Sequence, residues 1–133
     1  MALGLLTQEP DALLAGVPNT NARVFINRDR TTTIELDIAV DATTTAAAAD
    51  YPAYRSAASR QVPHQTSSSS PSIGTQTDEF VGSTNNGRNV VAISFVLARV
   101  ICVLTYASSQ PVDRTTVEVM ALTQAAKIRS ANP

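Results

Sequence analysis

Thr32-Thr33-Ile34-Glu35-Leu36-Asp37-Ile38-Ala39-Val40 alternates strictly: Ile34, Leu36, Ile38 and Val40 fall on one face, and Glu35 and Asp37 on the other. Successive strand side chains point to opposite sides, so this stretch predicts a half-buried strand with a wet outer face. Alternation of this kind belongs to antiparallel sheets, because parallel strands are covered on both faces and read as unbroken apolar runs.

On the N-terminal side, residues 22–26 predict a partner strand joined by the polar connection Asn27-Arg28-Asp29-Arg30. Further back, residues 7–16 carry Thr7 and Pro10 as start signals, acids in the first turn and Gly16 as a stop, which predicts a short N-terminal helix. On the C-terminal side the composition turns alanine-rich from Thr43 to Arg60 and predicts a helix, with Tyr51, Tyr54 and Ala58 recurring at i, i+3 and i+7. Pro52 requires either that Asp50 caps a fresh helix or that one helix kinks there.

Residues 62–72 are a Ser/Pro-rich run without an evident core anchor and predict a flexible loop. Residues 78–83 predict a short strand, and Asn85-Asn86-Gly87 a hairpin turn. The apolar stretch 89–107 is too long for one ordinary strand and divides at Leu97-Ala98-Arg99. Asp113 then caps a terminal helix whose inner stripe is Val117, Met120, Ala121, Ala125 and Ile128. The expected fold is therefore α+β: one domain with an antiparallel sheet of about five strands, two main helices on one face, and the short N-terminal helix. Phe95 and Ile101 are expected in its core.

Composition narrows the function. The 133 residues carry ten basic against eleven acidic side chains, for a net charge of −1, so the electrostatic drive for nucleic-acid binding is missing. Ala, Ser and Thr make up more than a third of the chain and Lys127 is the only lysine, a surface composition common on secreted and cell-envelope proteins. Cys102 is the only cysteine, excludes an internal disulfide, and lies in an apolar run as a small buried hydrophobe. The run Ala2-Leu3-Gly4-Leu5-Leu6 is too short for a signal core or a membrane span.

Nucleophilic catalysis needs a nucleophile beside a base, and the single histidine, His64, falls in the Ser/Pro-rich run. One His and one Cys do not make a usual metal set, and Asp78-Glu79 point to opposite faces of a strand. The five glycines form no phosphate loop. No enzyme activity, no cofactor and no metal are expected. For binding, the first choice of site is Tyr51, Tyr54 and Arg55, where tyrosines present a rigid face with a polar end. Core packing of both rings is the competing reading. Arg28 and Arg30, with Arg23 nearby, are the second choice.

The order of features over residues 34–130 resembles a family of cell-envelope lipoprotein domains from actinobacteria and related phyla. It is similar also to the extracellular sensor domain of a mycobacterial serine/threonine kinase. The features are the Ala-rich helix with a tyrosine, a variable loop, Ile73-Gly74, the acidic strand start Asp78-Glu79-Phe80, the apolar hairpin and the terminal helix. The resemblance implies a non-catalytic extracytoplasmic domain that binds a small ligand or a protein, with the membrane reached only through an N-terminal anchor outside this sequence. It transfers no site residues. The alternative is a structural subunit that self-assembles or packs into a larger, shell-like or coat-like complex.

Overall fold

A computed structural model describes residues 19–26 and 31–131. Its elements are β1 (Asn19–Ile26), β2 (Thr32–Val40), α1 (Thr44–Arg60), β3 (His64–Ser69), β4 (Gln76–Ser83), β5 (Asn89–Leu97), β6 (Val100–Ser108) and α2 (Arg114–Ala131). The strands form one six-stranded sheet in the order β1-β2-β6-β5-β4-β3, and every neighbouring pair is antiparallel. The α+β class with an antiparallel sheet is the one the alternation in β2 predicts. The expected helix over 7–16, with Arg28 and Arg30, lies outside the described residues.

The two helices pack on opposite faces, not on one. Ile34, Leu36, Ile38 and Val40 of β2, Val91, Ile93 and Phe95 of β5, and Val100, Cys102 and Leu104 of β6 meet the stripe Val117, Met120, Ala121, Ala125 and Ile128 of α2. The alternate residues Val90, Ala92 and Val96 of β5 and Ile101 and Val103 of β6 meet Ala47, Tyr51 and Ala58 of α1. The cause lies in β5 and β6, which are buried at nearly every position and so need cover on both sides. Strict alternation in β2 reports a strand covered on one side only.

The run read as a loop at 62–72 contains β3, which pairs with β4 at the sheet edge. All six of its side chains are exposed, so no hydrophobic period announces it. Backbone pairing holds the strand, and core anchors flank it: Val62 before and Ile73 after are both buried. A Cβ at Gly82 of β4 would overlap the His64 carbonyl oxygen, so glycine there lets the two strands close.

Local signals account for the ends of the elements. Thr43 caps α1 by accepting the Ala46 N–H at 3.0 Å, and the helix runs through Pro52 without a second start at Asp50. The carbonyl deprived of a donor by Pro52 belongs to Ala48, and both residues are exposed, so water can serve it. Asp113 caps α2: its Oδ1 accepts the Thr115 N–H at 2.9 Å and its carbonyl accepts the Thr116 N–H at 3.0 Å. The β5–β6 hairpin turns through Ala98-Arg99 with Leu97 opposite Val100, and Ala98 has φ of 54°. Phe95 and Ile101 are fully buried, beneath α2 and α1 respectively.

Candidate functional site

Tyr51 and Arg55 stand one helical turn apart on the inner side of α1, above β4 and β5. The Tyr51 hydroxyl donates to Asp78 Oδ2 at 2.7 Å, with the Ser94 carbonyl and hydroxyl oxygens at 3.0 and 2.9 Å. Asp78 Oδ1 receives Arg55 Nε at 3.1 Å, and the guanidinium carbon lies 5.8 Å from the Phe80 ring centroid. A buried hydroxyl, a carboxylate and a half-exposed cation thus form one chain from the core to the surface. Burial holds the Tyr51 hydroxyl well above its ordinary pKa, and the Asp78 charge adds to this, so the group remains a donor.

The expected site residues therefore separate. Tyr51 is 1% exposed and belongs to the core, which is the competing reading stated above. Tyr54 is half-buried between the two clusters under α1. Arg55 keeps 49% of its side chain exposed, and its orientation is fixed by Asp78 and Phe80. An ion pair this open adds little to stability, but it holds the guanidinium in one direction.

Asp78 and Glu79 diverge to opposite faces, as adjacent strand residues must, and each is engaged by an arginine. Glu79 is 0% exposed under the start of α2. Arg114 Nε donates to its Oε2 at 3.2 Å, Arg114 Nη2 donates to Ser69 Oγ at 2.8 Å, and Glu118 shares Arg114 at 3.7 Å. Burial and then the neighbouring Glu118 push the Glu79 carboxyl up to about 7, against the pull of Arg114. This cluster was not legible in the sequence. The available signal was that β4 adjoins a strand apolar on both sides, so an acid within it needs a partner.

The remaining chemical groups lie apart. His64 is exposed on the edge strand β3, and Cys102 is fully buried beneath α2, where burial raises its thiol pKa. Among the described residues no group of three His, Cys, Asp or Glu side chains is placed to hold a metal ion, and no helix is long and apolar enough to cross a membrane. Among the described residues, one open cleft of about 380 Å³ lies between β4, β5 and the segment before α2, and another of about 300 Å³ runs along residues 70–78 and ends at Asp78.

The fold is similar to that of the extracellular domain of PknH from Mycobacterium tuberculosis. The likeness covers 94% of this chain and 70% of that domain, with a TM-score of 0.52 and 13% identity. At this identity it is a likeness of fold, and it matches the resemblance to the mycobacterial sensor domain read from the order of sequence features. No protein-family model matches the chain, and no curated protein does.

Proposed function

We propose that this chain is a non-catalytic, extracytoplasmic recognition domain of the cell-envelope lipoprotein type, which binds a protein or a small ligand at the surface around Arg55 and Tyr54. The observation that carries the reading is Arg55, a half-exposed cation braced in one orientation by Asp78, which is itself held by the buried Tyr51 hydroxyl. Preorganised arginine beside a partly exposed tyrosine is the kind of surface that loses little entropy on binding. The Tyr51 hydroxyl is buried, His64 sits on the sheet edge and Cys102 lies beneath α2, so these groups do not converge on one another. The fold likeness to an extracellular domain and the hydroxyl-rich composition support the location.

The test is site-directed photo-crosslinking. A photo-reactive residue at Ser56, exposed beside Arg55, is expected to give one discrete adduct with envelope material, and Arg55→Ala is expected to remove it. An adduct indifferent to Arg55→Ala, or none at all, would reject the site.

A second reading, a subunit that self-assembles, is favoured by Val119 and Leu122, which are 45% and 47% exposed one turn apart on the outer side of α2. Concentration-dependent light scattering that Leu122→Glu abolishes would support it. A concentration-independent monomer would reject it.

A further inference from the structure

The α1 face of the sheet carries a second group of polar side chains, separate from the Tyr51 network. α1 lies chiefly over β5 and β6, reaching β4, and at the β2 end Thr33, Glu35 and Asp37 stay half-buried on that face. In the register of β2 with β6, Glu35 stands directly across from Thr105, and Asp37 from Val103. Directly opposed residues of an antiparallel pair share a face, and residues two apart on one strand are about 7 Å apart on the same side. Glu35, Asp37 and Thr105 therefore point into one patch.

Three observations set the character of this patch. Thr105 is 8% exposed and its Oγ1 has no hydrogen-bond partner among the described residues, which is unusual for a buried hydroxyl. Neither carboxylate has an ion-pair partner among the described residues; burial and then the adjacent Glu35 push the Asp37 carboxyl up to about 6. Arg88 bounds the patch at the Thr33 end, and its guanidinium is engaged by the Thr31 and Ala107 carbonyls and the Thr33 hydroxyl. That leaves two half-buried carboxylates and, covered beside them, a hydroxyl with no partner on the same side of the sheet.

We propose that Glu35, Asp37 and Thr105 form a recognition site for a primary ammonium group. An ammonium carries three N–H donors on a compact charge and so matches two carboxylate acceptors and one hydroxyl oxygen. A guanidinium, with its planar fork, suits a single carboxylate and leaves Thr105 unserved. Calcium takes six to eight oxygen ligands, more than this patch supplies. The ammonium can come from a lysine side chain of a partner protein or from a free amine. The proposal is independent of the Arg55 surface, which lies at the β4 side of α1.

Amide chemical-shift titrations of the intact chain with butylamine, a lysine-bearing peptide and tetramethylammonium test it. Both ammonium probes are expected to shift residues 35, 37 and 103–105 saturably in the millimolar range, and tetramethylammonium, which has no N–H, to bind about tenfold more weakly or worse. Glu35→Gln with Asp37→Asn is expected to abolish the shifts, and Thr105→Val to weaken them severalfold. A peptide that binds about tenfold tighter than butylamine assigns the site to a protein partner; equal affinities assign it to a free amine. Absence of saturation with both ammonium probes, equal binding of tetramethylammonium, or shifts that survive the double carboxylate variant would overturn the proposal. Should Thr105→Val fail to fold, the double variant and the tetramethylammonium comparison decide alone.

Discussion

The Tyr51 hydroxyl and Asp78 Oδ2 meet at 2.7 Å across a gap of 27 residues and tie α1 to β4. The bond is charge-assisted and buried on the tyrosine side, so both partners depend on it. Tyr51→Phe keeps the ring in place and removes the donor, and is expected to cost about 1 to 3 kcal/mol in urea unfolding. Tyr54→Ala is expected to cost less than Tyr51→Ala, since the Tyr54 ring is only half-buried. The reverse order would place the wrong tyrosine in the core.

Stability should rise on mild acidification. Glu79 is held at about 7 in the fold, above its ordinary value of 4.5, so the folded state binds its proton more tightly than the unfolded chain does. The resulting stabilisation is fully present below about 4.5 and is lost as the pH climbs through about 7. Asp37, held at about 6, acts with the same sign over a lower window. The melting temperature is therefore expected to be higher at pH 5.5 than at pH 8, by the equivalent of about 1 to 3 kcal/mol. Glu79→Gln should flatten that slope, and an unchanged slope would remove Glu79 as its source.

The parts of the fold that the sequence discloses are those where burial is one-sided. Ile34, Leu36, Ile38 and Val40 alternate because one side of β2 belongs to the buried cluster that α2 joins, and Val117, Met120, Ala121, Ala125 and Ile128 recur because one side of α2 meets the sheet. Two-sided burial erases that signal. Val90 to Val96 carry no period from which to learn that a helix lies on each side, and so the placement of α1 and α2 on one face was the wrong reading. β3 is illegible for the opposite reason, since all its side chains face solvent and only backbone bonds to β4 define it. Tyr51 and Tyr54 are one turn apart and equivalent by spacing; the contact of Tyr51 with Asp78 separates them, and no local pattern contains it. Glu79 with Arg114 is likewise a pairing across 35 residues.

The β5–β6 hairpin holds a removable strain. Ala98 sits at φ of 54°, where a side chain crowds the backbone. Ala98→Gly relieves that contact and raises the entropy of the unfolded chain, two effects of opposite sign. The first is the larger, and a gain of about 0.5 to 1 kcal/mol is expected in chemical denaturation. A loss of stability would mean that the turn does not adopt this conformation in solution.

Phe95 and Ile101 test the two-faced architecture directly. They lie on neighbouring strands at adjacent register positions, with Phe95 opposite Cys102 and Val96 opposite Ile101, yet Phe95 packs under α2 and Ile101 under α1. Truncation of either to alanine leaves a cavity in a fully buried layer and is expected to cost about 2 to 5 kcal/mol. The distinguishing readout is where local protection is lost, because opening is governed by the packing that each element retains. Under native-state hydrogen exchange, Phe95→Ala should loosen residues 114–131 and spare 44–60, whereas Ile101→Ala should do the reverse. Loss of protection in the same helix from both substitutions would mean that the helices share a face after all.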